Sequence, residues 1–331
     1  MHQYLVRKDN TVVTEQLFGD RIVNFLYSHA REHAPSLFRM ITGQRMSHLL
    51  GVWNFDLKLG AKLLGNRKFL HQCGVNLEEC VDDLSSFTNA REIFERKIKY
   101  WDCRPMPSGE GSVVSPADSR MIVGSLSETA ALFIKDKFFQ FKELLGCDKE
   151  SWLQRFSGGD YAVCRLTPDK YHHNHTPVAG KVVDFYTVDG VYHSCNPGAV
   201  IELATPYSKN KRIVTIIDTD IDGGTKVGLV AMIEVTALMI GDVVQCYSGH
   251  KYYNPLKIEK GMVMAKGQPK SLYRPGSSTD ILLFEPNRVE FSKDLASSQR
   301  RTDVHSRFSK KFGYPLVEVE VNVRSEIASR K

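Results

Sequence analysis

From residue 113 onward, short apolar runs alternate with turns rich in glycine, proline and aspartate. Runs of this length with many β-branched residues are typical of strands in a mainly antiparallel β sandwich or barrel. One helix is predicted to interrupt them within residues 138–145. The predicted strands cover residues 120–124, 160–166, 181–188, 198–203, 212–219, 226–233 and 242–247.

Before that region, apolar residues between positions 17 and 64 fall on helical spacing, with lysine and arginine residues between them. We therefore predict an α+β protein with a helical region over residues 1–100, packed on a β-rich domain over residues 101–331. The apolar helical face has two interpretations. Either it packs on the β domain, or residues 15–65 form an amphipathic element that binds a membrane surface.

The C-terminal part contains two different patterns. Residues 292–311 are polar and basic, which predicts a mobile segment. After them, valines at 317, 319, 321 and 323 alternate with polar residues, which predicts a half-exposed strand.

Composition and charge limit the kinds of macromolecule or surface that the protein is expected to bind. Of 331 residues, 42% are hydrophobic and 25% are charged, as in ordinary globular proteins, and the net charge is +6. No run of five like charges occurs, so we predict no nucleic-acid partner, whereas a mildly basic protein suits an anionic membrane surface.

The N-terminus lacks an apolar signal segment, and no uncharged apolar stretch reaches about 18 residues. The seven cysteines are odd in number and form no C-x-x-C pair, which favours a reducing compartment. We therefore expect a cytoplasmic protein that meets a membrane only peripherally; a homo-oligomer stays open.

Three histidines in four residues, at positions 172, 173 and 175, form the densest cluster of reactive side chains. On a strand, His173 and His175 would share a face and His172 would point to the other. Polar loop histidines, metal ligands and acid–base groups are the three interpretations. We predict no metal site, because no cysteine or carboxylate stands at metal-binding spacing, and imidazole titrates near neutral pH.

Two further segments carry candidate chemistry. Asp118 follows Pro-Ala within residues 113–120, and a serine pair at 277 and 278 lies in a turn ahead of an apolar strand. A carboxylate beside an imidazole fixes its tautomer, and an imidazole activates a serine hydroxyl. Asp118, the histidines and the serine thus form an ordered set, although spacing alone does not show that they meet.

These segments resemble the phosphatidylserine decarboxylase family over roughly residues 90–290. Residues 113–120 are similar to the family's "SPADGR" segment, and residues 169–180 to "DYHRFHSPVDG", which places His172 and His175 on its two histidines. Residues 195–197, 210–212 and 234–243 match shorter family segments, and residues 266–284 match the "KG…FGGSTxxxLF" block.

The resemblance has departures. Ser119 replaces the usual glycine, and Lys170 is inserted before the histidine segment. Ser277 occupies a position where the family's Gly-Ser-Thr motif has glycine, so register makes Ser278 the processed serine and leaves Ser277 as the alternative. A side chain before the scissile bond is expected to slow cleavage, since glycine best tolerates strained backbone.

The resemblance implies a proenzyme that cuts itself near 277/278 and converts the serine into a pyruvoyl cofactor. It implies that His175, oriented by Asp118, takes the serine proton, and that His172 donates a proton during decarboxylation or holds the substrate. The implied substrate is phosphatidylserine. A free amino acid as substrate, an unprocessed binding homologue and a histidine-ligated metal hydrolase remain as alternatives.

Overall fold

A computed structural model describes residues 1–17, 23, 25–27, 31–43, 46, 49, 75–83, 86–87, 89–127, 139–203, 205–238, 242–276 and 278–331. Most of the predicted helical region, including most of residues 15–65, and Ser277 lie outside the described residues. The strands are β1 Gln3–Val6, β2 Val12–Thr14, β3 Ser112–Val114, β4 Ser119–Ser125, β5 Asp160–Leu166, β6 His173–His175, β7 Gly180–Val188, β8 Arg212–Asp218, β9 Leu229–Val235, β10 Val243–Gln245, β11 Val263–Met264, β12 Pro269–Tyr273, β13 Ser278–Phe284, β14 Val289–Phe291, β15 Val319–Val321 and β16 Glu326–Arg330.

The helices are short and lie mostly between the strands. They are α1 Arg31–His33, α2 Pro35–Ile41, α3 Ala90–Phe94, α4 Tyr100–Cys103, α5 Phe141–Leu145, α6 Glu150–Phe156, α7 Pro197–Glu202, α8 Pro206–Lys209, α9 Lys293–Ser298 and α10 Arg307–Phe312, with a 3₁₀ turn at Leu77–Glu79. No helix of the described part is long and apolar enough to cross a membrane.

A ten-stranded sheet in the order β11-β7-β8-β9-β13-β5-β4-β15-β1-β2 forms the centre of the protein. Its pairs are antiparallel except β1 with β15. Two three-stranded sheets, β10-β12-β6 and β14-β16-β3, complete the described strands. The α+β class with mainly antiparallel sheets is therefore confirmed.

Strand β13 lies in the middle of the large sheet, between β9 and β5. Its apolar residues alternate between two cores: Ile281 and Leu283 face the one that includes helices α5–α8 and α10, whereas Leu282 and Phe284 face the one that includes the β14-β16-β3 sheet. A strand buried on both faces reads as a continuous apolar run, as it does here.

The prediction left a β sandwich and a β barrel open, and the described strands do not form a closed barrel. The large sheet is open, with β11 paired only to β7 and β2 only to β1. Helices cover one face of the large sheet, and the small β14-β16-β3 sheet contributes to the core on the other.

A helical region over residues 1–100 is not shown by the described residues. Residues 3–6 and 12–14 are strands of the large sheet, and the described helices within this range are short. The predicted strand over 198–203 was wrong, because this segment is helix α7. The predicted mobile segment 292–311 instead contains α9 and α10, which bury Leu295, Phe308 and Phe312.

Candidate active site

Strand β6 carries the histidine cluster and lies antiparallel to β12. His173 pairs with Leu272 and His175 with Pro269, while the Tyr273 amide donates to the His172 carbonyl, 3.1 Å away. On its other side, the His175 amide donates to the Pro116 carbonyl at 2.7 Å. The histidine strand is thus fixed between β12 and the turn that precedes Asp118.

A buried ion pair fixes the opposite side of this strand. Lys270 Nζ lies 2.7 Å from Glu234 Oε2, and both side chains are fully buried. Asn174 Nδ2 donates to Glu234 Oε1 at 3.3 Å, so the residue between two histidines is tied to β9. No local pattern in the sequence indicates this pair, because its two residues are 36 positions apart.

His175 is completely buried, and both ring nitrogens have partners. Nδ1 lies 3.0 Å from the Gly267 carbonyl and Nε2 lies 3.0 Å from the Tyr171 hydroxyl. Since a carbonyl only accepts, the tautomer that satisfies both contacts has its proton on Nδ1 and leaves Nε2 as the basic nitrogen. Burial lowers the pKa of His175 to about 3, so the imidazole is neutral at pH 7. Protonating it in this buried position would destabilise the folded protein.

Asp118 does not form the expected hydrogen bond with His175. Its carboxylate instead accepts two hydrogen bonds from Arg104, at 3.0 Å from Nε and 2.8 Å from Nη2, and one from the Val323 amide at 2.7 Å. Burial alone would raise the pKa of Asp118, but the charge and hydrogen bonds of Arg104 hold it below its ordinary value. The charge of Asp118 still raises the pKa of His175, so it acts on the imidazole through space.

His172 points away from the other two histidines and stacks on Phe94, with ring centroids 3.6 Å apart. Its Nδ1 lies 2.7 Å from the Lys170 carbonyl, whereas Nε2 is buried without a hydrogen-bond partner. Burial lowers the pKa of His172 to about 3. In contrast, His173 and His175 both contact the ring of Tyr171, and they also contact Tyr252 and Tyr100, respectively. This confirms the prediction that His173 and His175 share one face of the strand and that His172 points to the other.

Ser278 is the first residue of β13 and is fully buried. Among the described residues its hydroxyl has no hydrogen-bond partner, so nothing there competes for it in a reaction. Two residues earlier, Gly276 has φ 149°, a backbone conformation that residues with a Cβ rarely adopt. The other candidate serine, Ser277, is outside the described residues.

The sheet register relates the histidines to this serine. His172 lies opposite Tyr273, at the end of β12 from which the chain continues to Ser278, whereas His175 lies opposite Pro269, at the far end. The Tyr273 hydroxyl donates to the Asp280 carboxyl at 2.8 Å, which joins β12 to β13. Burial, and next the charge of Glu234, raise the pKa of Asp280 well above its usual range.

Three side chains at this site were missed by the sequence analysis: Arg104, Tyr171 and Tyr252. Tyr171 lies within the recognised histidine segment, and the other two come from distant parts of the chain. With Nε2 accepting from Tyr171, the Tyr252 hydroxyl donates to that of Tyr171, 2.7 Å away, and accepts from the Ile98 amide at 3.1 Å. These phenols continue the hydrogen-bond chain from His175 toward the surface.

A group of potential metal ligands elsewhere consists of His2, Glu15 and Glu318, whose ligand atoms lie within 4.8 Å of one another. Arg165 donates to both carboxylates, at 2.8 Å to Glu15 Oε2 and 2.8 Å to Glu318 Oε1. The cluster therefore already has a cation at its centre, and its role is to join the N-terminal strands to β15.

The three buried imidazoles predict acid lability. The pKa values of His172, His173 and His175 are lowered from 6.5 to about 3, so the unfolded chain binds more protons between these values. Stability should therefore fall as the pH drops below about 6.5, by up to about 1.4 kcal/mol per pH unit for each imidazole. Urea unfolding across this range measures the effect.

The variant His173→Phe should shift the acid unfolding midpoint to lower pH, because phenylalanine keeps the stacking on Tyr171 and does not titrate. The exposed His305→Gln variant is the control. Equal acid sensitivity of His173→Phe and the parent protein would contradict this explanation.

Comparison with known proteins gives one consistent result. A family model described as phosphatidylserine decarboxylase matches residues 90–313. The chain is 29% identical to the phosphatidylserine decarboxylase proenzyme of Ruminiclostridium cellulolyticum over 296 residues, which cover 89% of this chain and 91% of that protein.

Two other relatives extend the range of organisms. Identity to the phosphatidylserine decarboxylase proenzyme of Fusobacterium nucleatum is 26% over 313 residues, covering 94% of this chain and 97% of the relative. Identity to phosphatidylserine decarboxylase proenzyme 2 of Oryza sativa subsp. japonica is 32% over 232 residues, covering 69% of this chain and 34% of the relative. The range matched by the family model, residues 90–313, includes the histidine strand, Asp118 and Ser278.

Proposed function

This chain belongs to the phosphatidylserine decarboxylase family, and from that premise we propose that it is a self-processing carboxy-lyase that converts phosphatidylserine to phosphatidylethanolamine. The observation that carries the proposal is the buried, unpartnered hydroxyl of Ser278, at the start of the central strand and in the sequence context of the family. We assign Ser278 as the precursor of a pyruvoyl group.

The residues around Ser278 suit the conversion of this residue into a pyruvoyl group. Within the part of the chain that the structure describes, no donor or acceptor competes for its hydroxyl, and the side chain is removed from water. In the reaction, the serine oxygen attacks the preceding carbonyl and the peptide C–N bond breaks, giving an ester. Elimination expels the new C-terminal carboxylate and leaves dehydroalanine, and addition of water then releases ammonia and leaves the pyruvoyl group.

A base must take the serine proton in the first step, and we propose His175 for it. Its imidazole is neutral and its Nε2 is the basic nitrogen, as a general base requires. In the sheet register His175 lies at the end of β12 away from Ser278, so the two groups must be brought together, and Nε2 must exchange the Tyr171 hydroxyl for the serine hydroxyl. The charge of Asp118 favours the imidazolium that forms, and Arg104 keeps Asp118 ionised.

We propose that His172 serves the second reaction. The pyruvoyl group, once formed, supplies an electron sink that allows the substrate carboxylate to leave as CO₂. His172 has a free Nε2, is fixed by Phe94 and the Lys170 carbonyl, and lies at the end of β6 nearest in register to the serine turn. This nitrogen, which carries no proton while Nδ1 donates to the Lys170 carbonyl, can bind the substrate or take up a proton and return it during decarboxylation.

Self-cleavage should give fragments of residues 1–277 and 278–331. Intact-mass measurement of the purified protein tests this, and the small fragment should resist N-terminal sequencing because its amine has been lost. A single uncleaved polypeptide in active material would refute the proposal. Masses that place the cut after Gly276 would instead identify Ser277 as the processed residue.

The substrate is tested separately from cleavage. The cleaved protein should release CO₂ from phosphatidylserine and not from free serine or other soluble amino acids. Release from a free amino acid alone would support the alternative of a soluble decarboxylase. Cleavage without any release would favour a different amine-bearing carboxylate.

A further inference from the structure

A surface turn over residues 250–256 exposes two large side chains, Tyr253 at 65% and Leu256 at 55%. The turn has a fixed conformation. Ser248 Oγ lies 2.6 Å from the Tyr253 carbonyl oxygen, the Leu256 amide donates to the Tyr247 carbonyl at 2.7 Å, and Tyr253 stacks on His250. The hydrogen-bonded turn thus presents an aromatic and an aliphatic side chain that are both more than half exposed to water.

Lysines occur in the turn and in the segment that it contacts. Lys251 Nζ lies 4.2 Å from the centre of the Trp101 ring, and Lys97 Nζ lies 5.5 Å from that of Tyr252. These contacts connect the turn to the segment 97–102. Together, segments 97–102 and 250–260 contain five lysines and only two carboxylates: Lys97, Lys99, Lys251, Lys257, Lys260, Asp102 and Glu259.

The turn is also connected to the histidine strand. Tyr252 is adjacent to Tyr253, and its hydroxyl lies 2.7 Å from that of Tyr171, which in turn lies 3.0 Å from His175 Nε2. The Tyr252 ring also contacts the His173 ring, with centroids 5.3 Å apart. One residue therefore joins the exposed turn to the centre of the site.

We propose that the 250–256 turn docks the protein on an anionic phospholipid surface and so brings lipid headgroups to the histidine strand. The proposal rests on the proposed function, since it names the surface from which that site takes its substrate. Tyrosine and tryptophan favour the headgroup region, where a ring is half buried and its polar atom is hydrated. Lysines add an attraction to anionic lipids that salt screens.

Charge complementarity distinguishes this partner from others. The patch combines an excess of lysine with an exposed tyrosine and an exposed leucine. A planar layer with negative charge above and hydrocarbon below satisfies both kinds of side chain at once.

Sedimentation of the full chain with phosphatidylcholine vesicles, with or without phosphatidylglycerol, tests the proposal. Phosphatidylglycerol supplies the charge without being the substrate. The double variant Tyr253→Ser, Leu256→Ser should lose about tenfold in its vesicle partition coefficient, the loss expected for two exposed apolar side chains. Tyr253→Trp should retain binding.

The variant Lys257→Gln, Lys260→Gln should bind phosphatidylglycerol vesicles more weakly at low salt and equally at high salt. Lys8→Gln, Lys293→Gln removes the same charge from exposed positions elsewhere and should bind like the parent protein. All four side chains are exposed, so melting temperatures should be unchanged and verify that each variant is folded.

Unchanged sedimentation of the Tyr253 and Leu256 double variant would overturn the docking proposal. Equal losses in the Lys8 and Lys293 control would do the same, because they would show a general charge effect. A short-chain phosphatidylserine that stays monomeric in solution separates docking from chemistry. The docking variants should decarboxylate this lipid at the parental rate and lose activity only on vesicles. If the parent protein is inactive on it, the proposed function is contradicted, but the sedimentation experiment still tests docking.

Discussion

Replacing Ser278 by alanine is expected to leave the protein as one uncleaved chain without decarboxylase activity. The variant lacks the oxygen that attacks the preceding carbonyl, and it cannot form the pyruvoyl group. Activity should fall to the uncatalysed background, a loss of at least about 10⁶-fold. Intact mass and CO₂ release measure the two effects.

This variant should fold normally, because the Ser278 hydroxyl has no partner to lose. Removing an unsatisfied buried hydroxyl can even stabilise a protein, by about 1 kcal/mol. Ser277→Ala is the matched control and should still be cleaved. Ser277→Gly should be cleaved faster, since glycine restores backbone freedom before the scissile bond. Cleavage of Ser278→Ala with retained activity would transfer the role to Ser277.

The variants His175→Ala and Asp118→Asn are expected to remain folded but largely uncleaved. Loss of a general base typically slows a reaction by about 10²–10⁴-fold, so His175→Ala should show the larger effect. Asp118→Asn removes the charge that favours the protonated imidazole. A time course of fragment formation on denaturing gels gives both rates.

Two further variants make the result specific. Asp118→Asn also breaks a buried ion pair with Arg104, at a cost on the order of 3 kcal/mol, so its melting curve must accompany the rate. Arg104→Lys keeps a cation beside Asp118 and should still permit cleavage.

His172→Ala should be cleaved at the parental rate, and its decarboxylation rate should fall by about 10²–10⁴-fold. The reverse pattern for His172 and His175 would make His172 the base in cleavage.

The strands that the sequence predicted well are those with a continuous apolar pattern. The segment Asp160–Leu166 was predicted with its observed bounds. That His173 and His175 lie on the same face of their strand followed from strand geometry. Both depend only on local pattern. The pairing of β13 between β9 and β5 could not be inferred this way, because its partners are far away in sequence.

Helix α7 illustrates a local signal that was given too little weight. Its residues 198–203 are apolar and look like a strand, but Asn196 accepts a hydrogen bond from the Gly198 amide and Pro197 occupies the first turn. Asparagine followed by proline is a favourable helix start. The cap, rather than the apolar run, decides the structure here.

Charged residues were the main source of error at the site. Glu318 and Glu320 alternate with valines and look like the exposed face of a strand, yet Arg165 binds Glu318 and Lys170 binds Glu320 at 2.6 Å. Asp118 is bound by Arg104 rather than by a histidine. A sequence shows which charges a strand carries, and their partners come from elements that only the fold brings near.

The central position of β13 has a consequence for how long the processed protein lasts. The precursor folds as a single chain, so pairing of β13 with β9 and β5 is an intramolecular event at any dilution. After cleavage, the same sheet belongs to two polypeptides, and its recovery from denaturant becomes a second-order reaction that slows as the protein is diluted. Each molecule then has one opportunity to assemble efficiently, before it is cut. From that moment its persistence is set by the rate of unfolding rather than by an equilibrium that can restore it.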